Sequence, residues 1–308
     1  MNVHPISTAE FESFMRRFED PLLRDVVEYE RWKGELGLLR TFWAGKETRL
    51  AFLGLEEGQN LQGVLRVLKV PFSERKRWGG KGGERGEIQD IFLYPFDAEG
   101  LKALLVGAER VLSHNGLLDF GISEWKKTCW EALEMLGFSP YARSVLIAWD
   151  TRREIPKAGS PDVEIRFASP EMKSILRRIQ QSSWGFFIPP DFERQDVLLA
   201  FLDGQPVGSA YLNRSTHHID FGVHVRREFQ RKRVGTALLR EALRLCRERG
   251  AQRMFVTRVL RAITRVNESD RIAIRFYLDC GGAILREYRG FRRKKRPRPL
   301  EIPPLSEF

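Results

Sequence analysis

The chain of 308 residues is predicted to adopt a mixed α/β fold in which one series of strands and helices occurs twice. Short apolar segments typical of strands alternate with helical stripes in both halves. The segments CWEALEMLGF and IRFYLDCGGA occupy equivalent places in the two series. A polar stretch with two prolines, 151–162, is typical of a linker. We therefore predict two tandem α/β domains with mixed sheets, at 1–150 and 163–293, followed by a basic, proline-rich tail at 294–308.

The second series begins with the strand Val163–Phe167. Ser169 and Pro170 then have the residue types of a helix N-cap and its first position, and an apolar stripe at helical spacing follows. A hairpin with the turn Asp203-Gly204 comes next. The predicted elements after Pro170 are the strands Val197–Leu202, Val207–Leu212 and Ile219–Val225, the helix Gly235–Arg249, the strand Met254–Val259, a helix around Ile272–Cys280 and the strand Ile284–Phe291.

The first series has the same order with different residues. Ser7 and Glu10 form a capping-box pattern, followed by a stripe of Phe11, Phe14, Met15 and Phe18. The remaining predicted elements are the strands Leu50–Leu55, Leu61–Val70, Ile88–Leu93, Leu117–Ile122 and Ala142–Trp149 and the helices Leu101–Ser113 and Lys127–Leu136.

Composition narrows the class of protein. No apolar run approaches the roughly 20 residues of a membrane helix, and the N-terminus lacks a secretory pattern. Three widely spaced cysteines predict a reduced, cytoplasmic protein, and neither they nor the five histidines have metal-ligand spacing. We therefore expect no membrane partner and no metal.

The excess of positive over negative charge lies entirely in the second half of the chain. The net charge is +11; residues 161–308 carry 29 Lys and Arg against 17 Asp and Glu, whereas residues 1–160 carry 23 against 24. Such a basic half is typical of a protein that binds an acidic substrate, nucleic acid or a phosphate-bearing cofactor, but a solvated arginine-rich surface is an equal alternative.

A basic loop precedes the helix that begins at Gly235. The first turn of a helix has unpaired N–H groups and a partial positive charge, so it attracts anions. Glycine at 235 permits a phosphate to approach the backbone. Three cations, Arg231, Lys232 and Arg233, stand beside this turn. The pattern indicates a phosphate site.

This segment resembles the coenzyme A loop of the GNAT superfamily, Gln/Arg-x-x-Gly-x-Gly/Ala. Gln230 and Gly235 fill its ends, and Arg233 replaces its first glycine. A second GNAT signature resembles 273–277, with Tyr277 at its end, while Asp270 stands where the family has Asn. The first half resembles only the skeleton of the family, because its corresponding loop, 94–100, is acidic and interrupted by proline.

The resemblance implies two tandem GNAT-like acyl-CoA N-acyltransferase domains, the first a degenerate copy. It implies acetyl-CoA as co-substrate and transfer of its acetyl group to a primary amine by direct attack in a ternary complex. Tyr277 corresponds to the acid that protonates the thiolate, and the backbone N–H of Val225 to the donor for the oxyanion. The implied cofactor-binding residues are Val223, Val225, Gln230, Arg231, Lys232, Arg233, Val234, Gly235, Thr236 and Asp270.

The base and the acceptor pocket are less sharply indicated. Alternation on 219–225 places His218, Asp220, Gly222 and His224 on one face of the strand. Asp220 or His218 could relay the substrate proton, or these polar groups could simply be satisfied locally. Trp184, Phe186 and Phe187 stand where GNAT folds bind the acceptor, so we predict Trp184 and Phe187 as substrate-binding residues; simple packing is the alternative.

Three functions remain open at this point. The first is an acetyltransferase of a small molecule or peptide, acting as a monomer or homodimer. The second is an acetyltransferase of RNA-bound or ribosomal substrates, and the third is a non-catalytic protein that senses coenzyme A or binds nucleic acid. Fold alone does not choose among them.

Overall fold

A computed structural model describes residues 1–16, 48–70, 84–156, 162–185, 187–260 and 268–293. It confirms the mixed α/β class. The described residues form two compact units. Unit 1 comprises those from Met1 to Arg143 together with Tyr288–Arg293, and unit 2 comprises those from Ser144 to Glu287. The sequence-based domain limits, with a linker at 151–162, stay a prediction.

Unit 1 contains a sheet that is antiparallel except for one parallel pair, β4 with β5. Its strand order is β1-β2-β3-β4-β5, and residues 289–291 pair with β5 on its other side. The strands are β1 Asn2–Ile6, β2 Thr48–Glu57, β3 Asn60–Val70, β4 Arg85–Leu93 and β5 Phe120–Glu124; unit 1 also holds the first part of β6, Phe138–Asp150, and the last part of β12, Ala283–Arg293.

The helices of unit 1 are α1 Thr8–Met15, α2 Ala98–His114 and α3 Lys127–Met135. The predicted capping box is confirmed. The backbone N–H of Ser7 donates to the carboxylate of Glu10, and the backbone N–H of Glu10 donates to the hydroxyl of Ser7. The α1 stripe buries Phe11, Phe14 and Met15. The α2 stripe includes Leu101, Leu104 and Leu105. It packs against buried apolar side chains of β2, β3 and β4.

Unit 2 repeats this plan. Its strand order is β7-β8-β9-β10-β11, followed by its parts of β6 and β12. The pair β10–β11 is parallel, and the pairs β7–β8, β8–β9 and β9–β10 are antiparallel. The strands are β7 Val163–Phe167, β8 Gln195–Leu202, β9 Gln205–Asn213, β10 His218–Val225 and β11 Arg253–Leu260.

Helices cover two faces of the unit 2 sheet. They are α4 Lys173–Trp184, α5 Val234–Glu248 and α6 Glu268–Asp279. Leu238, Ala242 and Cys246 of α5 pack with Val207 and Ile219 in the larger core. Leu176 and Ile179 of α4 pack on the opposite face, against alternate residues of β8 and β9 such as Val197, Leu199 and Tyr211. Trp184 and His224 therefore lie on the α4 face, and Tyr277 lies on the α5 face.

Two differences from the sequence-based elements have local causes. Strand β1 was not predicted because its sequence, NVHPI, is short and contains proline. The strand predicted at Leu117–Ile122 is wrong at its start, because β5 begins at Phe120. Leu117 instead closes α2: its N–H bonds to the carbonyl of Leu112, beyond Gly116 in the left-handed region. Phe18, Phe186 and the predicted tail at 294–308 lie outside the described residues.

Candidate functional site

The loop before α5 exposes its backbone N–H groups. Arg231 and Arg233 have φ angles of 64° and 59°, so left-handed residues alternate with others through the loop. Arg233 is the N-cap residue, and its side chain makes no capping bond. Within the described part of the chain, the N–H groups of residues 231–236 donate to no acceptor. Such an array at a helix N-terminus forms an anion-binding concavity.

Side chains around this concavity divide into two groups. Gln230, Arg231, Lys232 and Arg233 are exposed and free to reach an anion in front of the loop. Val234 and Thr236 point inward: Val234 is 1% exposed, and the hydroxyl of Thr236 lies 3.8 Å from the sulfur of Cys280. Val234 and Thr236 thus offer a ligand their backbone N–H groups alone.

Gly235 has a packing role in addition. A Cβ atom at this position would lie 2.9 Å from Cζ of Phe276, which is closer than side chains approach each other. The glycine therefore lets the first turn of α5 rest on the ring of Phe276. This contact places α6 directly against the concavity.

Strand β10 is interrupted in its middle. Asp220 pairs with Tyr211 of β9 and Val223 pairs with Ala210, so Phe221 and Gly222 form a bulge, with φ angles of 68° and 87°. On the other side, β10 pairs with β11 at His218 and Ile219. Among the described residues β10 and β11 pair before the bulge and not after it, so the two parallel strands separate there.

The bulge directs backbone N–H groups toward α6. The N–H of Val223 donates to the hydroxyl of Tyr277 at 3.0 Å. Because N–H directions alternate along a strand, the N–H of Val225 points to the same edge, while that of Arg226 bonds back to Val207 of β9. The N–H group of Val225, which the resemblance implies as the oxyanion donor, thus points toward α6, and its role stays a prediction.

Tyr277 is held at the opening between the separated ends of β10 and β11. It is 2% exposed, its ring meets Trp149 edge-on at 5.8 Å, and a Cβ on Gly222 would lie 2.7 Å from its hydroxyl. Burial raises the pKa of Tyr277 above its ordinary value, so the phenol stays protonated at neutral pH. Its oxygen accepts from Val223, and its own proton has no acceptor among the described residues. This proton is available to a ligand.

Asp270 has a partner that the sequence did not suggest. Its Oδ1 atom accepts from Nη2 of Arg258 at 3.0 Å, and both side chains are largely buried. Arg258 follows the paired part of β11, and its positive charge acts on both Tyr277 and His224. Asp270 therefore lies beside the opening as half of an ion pair.

His218 and Asp220 belong to a closed polar network. The imidazole of His218 bonds through Nδ1 to Asp220 at 2.9 Å and through Nε2 to Thr257 at 3.1 Å. The other carboxylate oxygen of Asp220 accepts from Gln195 and, at 3.5 Å, from Asn213. Each polar atom of the two side chains has a partner, which favours local satisfaction over proton relay.

His224 lies nearer the predicted acceptor residues. Its ring stacks on Trp184 with centroids 5.1 Å apart, and Nδ1 lies 3.3 Å from the hydroxyl of Ser183. Burial first, and then the charge of Arg258, lowers the pKa of His224 to about 3; the carbonyl of Phe221 opposes this shift without completing a hydrogen bond. The imidazole is therefore neutral at physiological pH. Phe187 is half-buried on the same face, beneath the guanidinium of Arg177.

Comparison with known families identifies this region. Residues 169–281 match the model of the acetyltransferase (GNAT) family. These residues form a GNAT domain. The match contains the loop, the β10 bulge and Tyr277. A comparison with curated protein sequences gives no significant match.

Solved structures extend the similarity of fold to nearly the whole chain. A GCN5-related N-acetyltransferase from Sphaerobacter thermophilus is 15% identical with a TM-score of 0.60, and 96% of each chain is covered. A tandem GNAT protein from the clavulanic acid biosynthesis pathway is 11% identical with a TM-score of 0.56, covering 97% of this chain and 99% of its own. A GCN5-related N-acetyltransferase from Kribbella flavida has 14% identity, a TM-score of 0.54, and coverage of 83% and 93%. At these identities the similarity concerns the fold.

No helix among the described residues is long and apolar enough to cross a membrane. No group of three or more His, Cys, Asp or Glu side chains in the same ranges is placed to hold a metal ion.

Proposed function

We propose that unit 2 is an N-acetyltransferase that transfers an acetyl group from acetyl-CoA to a primary amine. The observation that carries the proposal is the meeting of two features at one opening. A row of unpartnered N–H groups at the start of α5 lies next to a buried tyrosine whose proton has no acceptor within the described ranges. The first suits a diphosphate and the second a leaving thiolate.

The residues present fit coenzyme A. Its pyrophosphate would be held by the backbone N–H groups of 231–236, with Gln230 and the cations Arg231, Lys232 and Arg233 in front. Its pantetheine arm would pass between the separated ends of β10 and β11, beside Asp270. There the N–H group of Val225, which points to the same edge of β10 as that of Val223, is available for the acyl carbonyl.

The proposed chemistry needs one acid at the sulfur. The amine nitrogen bonds to the carbonyl carbon, the C–S bond breaks, and one amine proton must end on the sulfur. Tyr277 gives its phenolic proton to the leaving thiolate and recovers a proton from the cationic nitrogen of the addition product. A tyrosine whose pKa is raised by burial holds its proton until a strong base appears beside it.

Binding is tested by thermal denaturation. Acetyl-CoA in excess over its Kd should raise the melting temperature, because a ligand that binds only the folded state stabilises it, while NAD should not. If acetyl-CoA and NAD leave the melting temperature equally unchanged, the proposal fails at its first step.

Turnover is tested by release of free coenzyme A in the presence of primary amines. Amine-dependent release supports an enzyme. Binding of acetyl-CoA without release for any amine of a broad panel would instead support the non-catalytic alternative, a protein that senses coenzyme A. A steeply salt-dependent affinity for tRNA or duplex DNA would direct the search for acceptors to nucleic-acid-bound substrates.

A further inference from the structure

A group of polar side chains, three of them buried and one partly buried, lies on the α4 face of unit 2, opposite Tyr277. Its members come from three elements: Gln180 and Ser183 from α4, Ser209 from β9 and His224 from β10. Ser209 and His224 are directly paired across the two strands, so their side chains share one face. Gln180 and Ser183 are three residues apart on α4 and therefore share one side of the helix. We call these four residues the polar cluster.

The polar cluster holds hydrogen-bonding atoms without partners. Gln180 and Ser209 are 0% exposed and His224 is 4% exposed. Nε2 of His224, Oγ of Ser209 and Nε2 of Gln180 have no hydrogen-bond partner in the described part of the chain. Leaving such atoms buried and unpaired costs about 1–3 kcal/mol each, so three of them on one face call for a partner such as a bound ligand.

The cluster is held in position by its satisfied atoms. Oε1 of Gln180 accepts from the N–H of Ile188 at 2.8 Å, which aims the amide nitrogen elsewhere. Nδ1 of His224 lies 3.3 Å from Oγ of Ser183, and the ring is stacked on Trp184. His224 also directly follows Val223, whose N–H bonds to Tyr277. His224 is therefore one residue along β10 from the N–H group that bonds to the proposed acid.

We propose that the polar cluster binds the acceptor, a primary amine that carries a hydrogen-bonding oxygen within three bonds of its nitrogen. This inference rests on the proposed function of unit 2. His224 donates from Nδ1–H to Ser183, so Nε2 is free to accept from an N–H of the neutral amine. Ser209 and Gln180 bond to the neighbouring oxygen. An amino alcohol, an amino sugar or a peptide N-terminus has this chemistry, whereas a simple alkylamine does not.

His224 is thus a substrate-binding residue that selects the neutral amine. An ammonium ion beside His224 is disfavoured by the positive charge of Arg258 on β11 and by burial. The other cluster members on α4 and β9 carry no charge, and Tyr277 on α6 is protonated. An ammonium ion would therefore have to release its proton to solvent before it occupies this position.

The test compares two amines of nearly equal shape, ethanolamine and n-propylamine. Wild-type protein should acetylate ethanolamine with kcat/KM about 10-fold higher or more, because an unpaired buried polar site rejects the alkyl analogue. Ser209→Ala should reduce this preference severalfold. Equal kcat/KM values for the two amines, or the same preference in Ser209→Ala, would overturn the proposal. So would acetyl-CoA binding without acetylation of either amine.

A second measurement separates binding from structural support. His224→Phe keeps a ring against Trp184 and removes the unpartnered nitrogen, so its melting temperature should equal or exceed that of wild type while kcat/KM falls by about 30-fold or more. His218→Phe is the matched comparison, and it should lose melting temperature because it breaks two bonds. If His224→Phe is destabilised as strongly as His218→Phe, the cluster is structural. The acetyl-CoA shift of wild type and of His224→Phe should be the same; its absence from wild type would defeat the proposed function instead.

Discussion

The helix that follows the bulged strand begins differently in the two units. In unit 1, the N-cap of α2 is Asp97, whose carboxylate accepts from the N–H groups of Glu99 and Gly100 at 3.3 and 2.8 Å. In unit 2, the N-cap of α5 is Arg233, and the N–H groups of 231–236 are unpaired within the described ranges. The first helix thus carries its own anion, and the second leaves the position open to a ligand.

The position of Tyr277 also differs between the two units. Tyr277 stands four residues before Gly281, the left-handed glycine that follows α6. Leu133 stands four residues before Gly137, the corresponding glycine after α3, and it is fully buried.

Strand β4 has a bulge as well, because Val64 pairs with Phe92 and Arg66 pairs with Gln89. Within this bulge Asp90 has a φ angle of 50° and forms a buried ion pair with Arg66 at 2.7 Å. Unit 1 keeps the scaffold while its own side chains satisfy or replace the groups that unit 2 presents.

The largest effect should follow removal of the proposed acid. Tyr277→Phe is expected to lower kcat by about 100-fold or more, the usual contribution of a positioned acid. The acetyl-CoA-induced rise in melting temperature should persist. The matched control is Tyr141→Phe in unit 1, which removes a hydroxyl bonded to Arg85 and should leave kcat unchanged. Equal kcat in Tyr277→Phe and wild type would reject the acid role.

Displacing the same tyrosine should have the next largest effect. Gly222→Ala places a Cβ 2.7 Å from the Tyr277 hydroxyl, and we expect kcat to fall about 10- to 100-fold through misplacement. Gly58→Ala is the control: its φ angle of 65° is equally left-handed, but the space around it is open. Both variants should lose about 1 kcal/mol of unfolding free energy, measured by urea denaturation. Matching losses of kcat in the two would show that strain alone is responsible.

A negative charge at the start of α5 should weaken the anion site. Arg233→Asp puts a carboxylate at the N-cap position of α5, where the backbone is left-handed rather than extended as at Asp97. Repulsion between this carboxylate and the pyrophosphate should weaken acetyl-CoA binding about 10-fold or more, measured by calorimetry. Arg240→Asp makes the same charge change farther along α5, on an exposed residue, and should have a much smaller effect. Comparable weakening by both would mean that net charge, not the helix terminus, governs affinity.

The smallest effect should come from the converse change in unit 1. Asp97→Ala removes the cap of α2 and should cost about 1 kcal/mol of unfolding free energy, seen in chemical denaturation. Acetyl-CoA affinity should stay the same, because the proposed coenzyme A site lies in unit 2. A changed Kd for acetyl-CoA would contradict this division of labour.

Elements are predictable where the sequence carries a clear pattern. The stripes of α1, α4 and α5 are visible because each helix buries one face, and β8 and β9 are visible as apolar runs because each is buried on both faces. The capping box at Ser7 and the anion-binding start of α5 depend on residues within one turn, so they were also within reach. Strand β1 carries no such pattern and is therefore not predicted from the sequence.

The chemistry of β10 was harder to predict because its partners are distant in sequence. His218 and Asp220 were natural candidates as polar residues on a buried strand. Their satisfaction depends on Gln195, Asn213 and Thr257, which three other strands supply. His224 shares their face, and only its lack of a partner at Nε2 distinguishes it. The ion pair of Asp270 with Arg258 likewise joins a helix to a strand. Hydrogen-bond satisfaction is a three-dimensional property that alternation does not record.

Strand β12 determines when unit 1 can complete its fold. Residues 289–291 of β12 pair with β5, and Phe291 is fully buried in the core that α2 and α3 cover. This segment is synthesised after all of unit 2. Until then the newly made unit 1 has an unpaired strand edge at β5. Its completion requires a contact of very long sequence separation, which slows folding. Unit 2 is therefore expected to reach its native state before unit 1, although it is synthesised later.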